Sequence, residues 1–265
     1  MMVEDILREI VENKKGEVAR SKQKNPQAKL ILQCNEYDRD VRNFKKAIKY
    51  EDGLALIAEI KFASPSAGKI VNGMGYLEIA KLYQESGAIN ALSMLTDAKY
   101  FGGKLTSITA VKDVVPVPVL RKDFIIDKYQ IYESYLADAD AILLIAAILD
   151  FSTMKKFLEI SESLNMSCLV ETHNSNEVKR AVEAGAEIIG INSRDLRTFR
   201  IDHTLFESLS KEIPDSLVKV AESGIESKID SKKAYDSGAN AILVGTSILK
   251  SGNPSQKIHE LLSFN

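Results

Sequence analysis

Eight short runs rich in Val, Ile, Leu and Ala recur through the chain beyond residue 50, spaced by about 26 residues, the length of one βα unit of a parallel sheet. They are LALIAEI ending at Ile60, NALSML at Leu95, VPVL at Leu120, AILLIA at Ala146, SCLVE at Glu171, EIIGIN at Asn192, LVKVAE at Glu222 and AILVG at Gly245. Between them lie longer amphipathic stretches such as GYLEIAKLYQESG, DKYQIYESYLADAD, FSTMKKFLEISESLN, SNEVKRAVEAGAE, SKIDSKKAYDSGAN and a last one near Ser255 to Ser263. Several close on Gly-Ala, at Gly87, Gly185 and Gly238, where a left-handed helix stop is expected. Eight units predict an α/β chain folded as a closed (β/α)8 TIM barrel. A doubly wound sheet is the alternative, but it usually has fewer strands and a Gly-rich dinucleotide turn, and no GxGxxG follows the first run.

Before the first run, Val3, Ile6, Leu7, Ile10 and Val11 follow one helical face. Residues from about Lys22 to Asp52 are polar and poorly periodic, apart from a short helical pattern near Val41 to Ile48. The expected organisation is one barrel domain over 1–265 with 1–50 as an N-terminal helical extension. Charge breaks the apolar positions at the start too often for a signal-peptide core, and no run reaches the length that spans a bilayer.

Lys plus Arg number 35 against 37 Asp plus Glu, a formal charge of -2, so no basic excess favours a nucleic-acid or membrane partner. Cys34 and Cys168 lack metal-ligand spacing, and the three histidines form no HxH or HExxH pair. The expectation is a reduced, cytoplasmic protein without a bound metal.

In a barrel, chemistry gathers where strands end. The ends here are Glu59 and Lys61, Thr96 and Asp97, Lys122 and Asp123, Ala146 and Ala147, Glu171, Asn192 and Arg194, Glu222 to Gly224, and Gly245 and Thr246. Either these charges pair as a rim network, or they converge on one mouth that takes a polar, anionic ligand. The small-residue turns ESGI (Glu222 to Ile225) and VGTS (Val244 to Ser247) stand where barrels commonly bind phosphate.

The segments AEIKFASPSAG, LTDAKYFGG, VLRKDFIIDKYQIYES, ADAILLIAAIL, LVETH, IGINSRDL, VAESGI and ILVGTSIL, in that order from Ala58 to Leu249, closely resemble indole-3-glycerol-phosphate synthase. The pairing of EIKxxSPS with LRKDFIIDxYQIYE distinguishes that family from other phosphate-binding barrels. The resemblance implies a cofactor-free carboxy-lyase of tryptophan biosynthesis. Its substrate is a small sugar phosphate, 1-(2-carboxyphenylamino)-1-deoxyribulose 5-phosphate, whose indole ring is closed with loss of carbon dioxide and water.

By the same resemblance Lys122 matches the general acid, a role that suits a lysine whose pKa is lowered by burial or nearby cations. Glu171 matches the acid/base of the dehydration, with Asn192 orienting it or the hydroxyl. Glu59 and Lys61, two residues apart and facing one side, match another functional pair. Ser223, Gly224, Gly245 and Thr246 would form the phosphate cup, with Lys61 supplying charge. Glu222 and Ser223 match positions at the ribulose end, Ser64 a polar position beside the reaction centre, and Arg194 a partner for the substrate carboxylate. Pro65, Phe101, Phe124 and Leu143 would wall the anthranilate ring, unless they serve only as packing.

The chain departs from the family pattern at Ala67, Lys104, Asp138, Ser193 and Thr246, none of which is a core acid or base. Two rival readings stand beside this one: phosphoribosylanthranilate isomerase or another sugar-phosphate isomerase, and a phosphometabolite-binding barrel without chemistry. A monomer or weak homo-oligomer is expected.

Overall fold

The computed structural model describes residues 4–49, 53–65, 68–70, 73–195 and 198–264. Val3 and Ala67, both singled out above, lie outside the described residues. The N-terminal part is helical: α1 (Glu4–Lys24), α2 (Gln27–Glu36) and α3 (Phe44–Ile48). Strand β1 (Ala55–Ile60) and a small hairpin, β2 (Ala63–Ser64) with β3 (Gly68–Lys69), follow. Then come α4 (Tyr76–Glu85), β4 (Ala91–Leu95), α5 (Ala98–Phe101), α6 (Ser107–Lys112), β5 (Val119–Lys122) and α7 (Lys128–Leu136). The middle is β6 (Ala141–Ile145), α8 (Phe151–Ser163), β7 (Ser167–Thr172), α9 (Ser175–Ala184) and β8 (Ile188–Asn192). The last part is α10 (Leu205–Leu209), β9 (Val218–Glu222), α11 (Lys228–Asp236), β10 (Ala241–Val244), α12 (Thr246–Leu249) and α13 (Pro254–Leu262).

The strands β1-β10-β9-β8-β7-β6-β5-β4 close into a barrel, each pair parallel. All eight expected runs are strands of it, which decides the fold against a doubly wound sheet. Their ends move by a residue or two, and one shift matters: β5 runs to Lys122, so this lysine ends its strand and does not follow it. Glycines 87, 185 and 238 have φ of 68°, 93° and 89°, the left-handed stops that let each helix turn into the next strand.

Along a strand, side chains alternate between the barrel interior and the helix layer. Ile57, Leu120, Leu143, Leu169, Val220 and Leu243 fill the interior, while Leu56, Leu92, Ile142, Val170 and Ile242 pack outward against the helices.

The extension differs from expectation at α2. QAKLILQCNE buries only Leu30 and Cys34, while Leu32 is exposed, so its consecutive apolar residues hide the helical spacing. Helix α1 is pinned across the barrel: Lys22 meets Asp127 at 2.6 Å, and the Tyr129 hydroxyl donates to the Ser21 and Asn25 carbonyls. Asp138, a departure noted above, has a φ of 67°, a strained value for a non-glycine residue. It is held there by a 2.8 Å hydrogen bond from the Tyr37 hydroxyl.

Candidate active site

Interior positions at the C-terminal ends of alternate strands form one layer of the barrel. Here β1, β5, β7 and β9 place Glu59, Lys122, Glu171 and Glu222 in that layer. Lys122 Nζ lies 2.7 Å from Glu222 Oε2 and 3.6 Å from both Glu59 Oε2 and Glu171 Oε2. Lys61 Nζ meets the other oxygen of Glu59 at 2.6 Å.

Two glycines make the layer possible. A Cβ at Gly190, on β8, would lie 2.1 Å from Glu222 Oε1, and one at Gly245 would lie 2.7 Å from Glu59 Oε1. Gly245 is therefore required by the packing of a carboxylate as well as by any ligand. Gly190 was not singled out from sequence, where it reads as an ordinary strand glycine.

The charges shape one another. Burial disfavours the Lys122 cation, but Glu222, Glu59 and Glu171 outweigh it and hold its pKa above the ordinary lysine value. The lowered pKa that would suit a lysine acid is therefore not found at Lys122, because its neighbours are carboxylates. Burial raises Glu59, yet Lys61 and Lys122 prevail and keep it below the usual carboxylate range. Glu222 goes the other way: burial, with the nearby Glu171, pushes it up to about 7 against the pull of Lys122.

Above this layer opens a cavity of about 350 Å³. Its lining includes Glu59, Lys61, Ser64, Pro65, Phe101, Lys122, Phe124, Leu143, Glu171, Asn192, Arg194, Glu222, Ser223, Gly224, Gly245 and Thr246. Every site residue expected from the sequence therefore lies at one mouth. The mouth has two unlike sides. Over β4, β5 and β6 it is apolar, with Phe101 and Phe124 rings 6.0 Å apart and Leu143 beneath. Over β9, β10 and β1 it carries the turns at Gly224 and Gly245, with Lys61 beside them. Ser223 and Gly224 have successive positive φ values, 65° and 76°, and Ser247 Oγ donates to the Ile225 carbonyl at 3.0 Å, tying the two turns together.

Asn192 Oδ1 accepts from the Arg194 backbone N–H at 3.0 Å, and Arg194 Nη1 donates to the Phe199 carbonyl at 2.9 Å. One guanidinium nitrogen of Arg194 thus holds its own loop. Not every strand-end charge converges on the layer. Asp97 and Asp123 meet Lys14 of α1, each at 2.9 Å, and Asp123 also meets Arg121 at 3.0 Å. These form the rim network that was the alternative reading, and it coexists with the converging set.

The sequence leaves open whether the extension covers the site; Ile6, Leu7 and Ile10 of α1 line the cavity. Their helical spacing showed a buried face but not what it covers. Ile201 and Lys250 also line it, from loops without a motif.

A family model described as indole-3-glycerol phosphate synthase matches residues 7–261. The indole-3-glycerol phosphate synthase of Endomicrobium trichonymphae is 48% identical over 221 residues, 83% of this chain and 84% of that one. That of Ruminiclostridium cellulolyticum is 43% identical over 252 residues, 95% of this chain and 94% of its own. Among solved structures, a 3-hexulose-6-phosphate synthase superposes with a TM-score of 0.64 at 17% identity, covering 78% of this chain and 98% of that one, a likeness of fold alone.

Proposed function

The chain belongs to the indole-3-glycerol phosphate synthase family, and from that premise we propose how its barrel mouth carries out the decarboxylating ring closure. The observation that carries the assignment is Lys122, extended between three carboxylates midway between an apolar wall and two glycine turns. The substrate lies across the mouth, its anthranilate ring against Phe101, Phe124, Leu143 and Pro65. Its phosphate rests on Ser223, Gly224, Gly245 and Thr246 beside Lys61. Arg194 turns its remaining donors to the carboxylate, and Ser64 and Glu222 hold the linking atoms.

In ring closure the ring carbon bearing the carboxylate attacks the ketone. The carbonyl electron pair moves to oxygen, which takes a proton from Lys122, while the nitrogen becomes an iminium. An alkoxide is a stronger base than an amine, so a lysine with a raised pKa still donates to it. The bond to the carboxylate then breaks, and its electron pair neutralises the iminium as carbon dioxide leaves. In the dehydration Glu171 removes a proton from the former methylene carbon, Asn192 steadies the hydroxyl, and Lys61 protonates it as it departs as water. Two protons leave the lysines and one reaches Glu171, which balances the net uptake of one proton.

This chain's own side chains do the work, on one barrel domain over 1–265 with residues 1–50 as its extension, acting in the cytoplasm as a monomer or weak homo-oligomer, without nucleic acid. Among the described residues no helix is long and apolar enough to cross a membrane. The test is incubation with the carboxyphenylamino-deoxyribulose phosphate. The expected product has indole fluorescence and the mass left by loss of one carbon dioxide and one water. A product of unchanged mass, or untouched substrate with a folded protein, overturns the reading.

A further inference from the structure

We propose that His173 is a positioning residue for Glu171: gripped by Glu177, its protonated ring pairs with the Glu171 oxygen that faces away from Lys122. The inference deepens the reading above and rests on it.

His173 directly follows β7, two residues beyond Glu171, and its ring stands beside that carboxylate. His173 Nε2 lies 3.5 Å from Glu171 Oε1, while Lys122 Nζ lies 3.6 Å from Oε2. The carboxylate thus sits between two nitrogen donors on opposite oxygens. His173 Nε2 is buried without a hydrogen-bond partner among the described residues, and Glu171 is the carboxylate it approaches.

The other side of the ring is fixed by the start of α9. Glu177 Oε2 accepts from the His173 backbone N–H at 2.8 Å and stands 3.3 Å from Nδ1. Glu177 is itself held by Asn174, the helix cap, whose Nδ2 donates to Oε1 at 2.7 Å and whose Oδ1 accepts from the Glu177 N–H. The result is a carboxylate, imidazole, carboxylate chain leading from the helix into the catalytic layer. Glu177 orients the ring, and the ring orients Glu171.

The groups that charge the ring are Glu177 on α9, Glu171 on β7 and, further off, Glu222 on β9. Burial opposes the imidazolium, but these carboxylates outweigh it and raise the ring's pKa above the ordinary histidine value. Above that pKa the ring loses its charge and keeps a single N–H for two carboxylates, so Glu171 and Glu177 are no longer both paired with it. A positioning role therefore gives turnover a decline on the alkaline side that belongs to His173.

Two readouts test this. The first needs no turnover: NMR titration of the His173 ring in the wild type, Glu171→Gln and Glu177→Gln. Each substitution is expected to lower the midpoint, by about one pH unit, because each removes an anion beside the cation. A midpoint unmoved by Glu171→Gln overturns the inference whether or not the chain is active. The second is the pH profile of kcat. Glu177→Gln should shift the alkaline decline to lower pH. His173→Gln should abolish that decline and lower kcat about tenfold or more, with KM changed little. A decline at one pH in wild type, Glu177→Gln and His173→Gln assigns it elsewhere and overturns the inference. A wild type that titrates as expected but does not turn over the substrate overturns the functional reading alone.

Discussion

Lys122 and Glu222 meet at 2.7 Å across the full width of the barrel, from β5 and β9, which are four strands apart in either direction. The contact fixes the amine over the centre of the mouth, with Glu59 and Glu171 on the perpendicular diameter. A cation there is held by the barrel as a whole, since no neighbouring strand can supply its partners.

Glu222 stabilises the site at the expense of the fold. Its folded pKa of about 7 exceeds the ordinary carboxylate value of 4.5, so the folded state binds its proton more tightly than the unfolded state. Its contribution therefore falls as pH rises from 4.5 to about 7. Glu222→Gln removes that slope, and its melting temperature should exceed the wild type's at pH 8 by roughly 3 °C, with a smaller gain at pH 5. Differential scanning calorimetry at the two pH values checks the sign. An equal or larger gain at pH 5 contradicts it.

Lys14 holds the extension against the rim. Its side chain is 5% exposed, between Asp97 and Asp123. Lys14→Met leaves those carboxylates buried without their cation, a loss of about 3–5 kcal/mol for a broken buried pair. The melting temperature should fall by about 10 °C. The KM should rise with it, because Ile6, Leu7 and Ile10 line the cavity from the same helix. Thermal melts with steady-state kinetics measure both, and a lower melting temperature with unchanged KM separates α1 from substrate binding.

The same cluster predicts the acid limit of the fold. Burial opposes the Asp123 charge, but Arg121 and Lys14 prevail and depress the carboxyl to about 2. Stability from this residue is present above the ordinary aspartate value near 3.8 and is lost as pH falls toward about 2. Asp123→Asn should flatten stability against pH between those values in urea titrations. An unchanged slope there would assign acid unfolding to other carboxylates.

Gly190 is the least forgiving position of the layer. With 2.1 Å between a new Cβ and Glu222 Oε1, Gly190→Ala must displace the carboxylate that holds Lys122. Turnover should drop at least about tenfold, with a destabilisation of roughly 1–3 kcal/mol. Kinetics beside a urea melt give both, and near-normal values would mean that the layer relaxes freely.

The barrel was legible because apolar strand runs, repeated eight times, and the glycine stops at Gly87, Gly185 and Gly238 are local signals. The site residues were legible from strand-end position, which the fold converts into proximity. Gly190 was not, because its reason is a side chain from the adjacent strand β9. The Lys122 environment was not legible, because sequence order shows which charges approach the mouth but not which of them touch. The role of α1 escaped because an apolar helical stripe does not name the surface it covers, and α2 because three consecutive apolar residues mask its two buried positions.

The central claim is that Lys122 donates the proton at ring closure. Its direct test is kcat of Lys122→Ala at saturating substrate, alongside the variant's affinity for the product indole-3-glycerol phosphate. The account predicts a fall of at least about a hundredfold with product binding retained. Turnover close to the wild type's would contradict it.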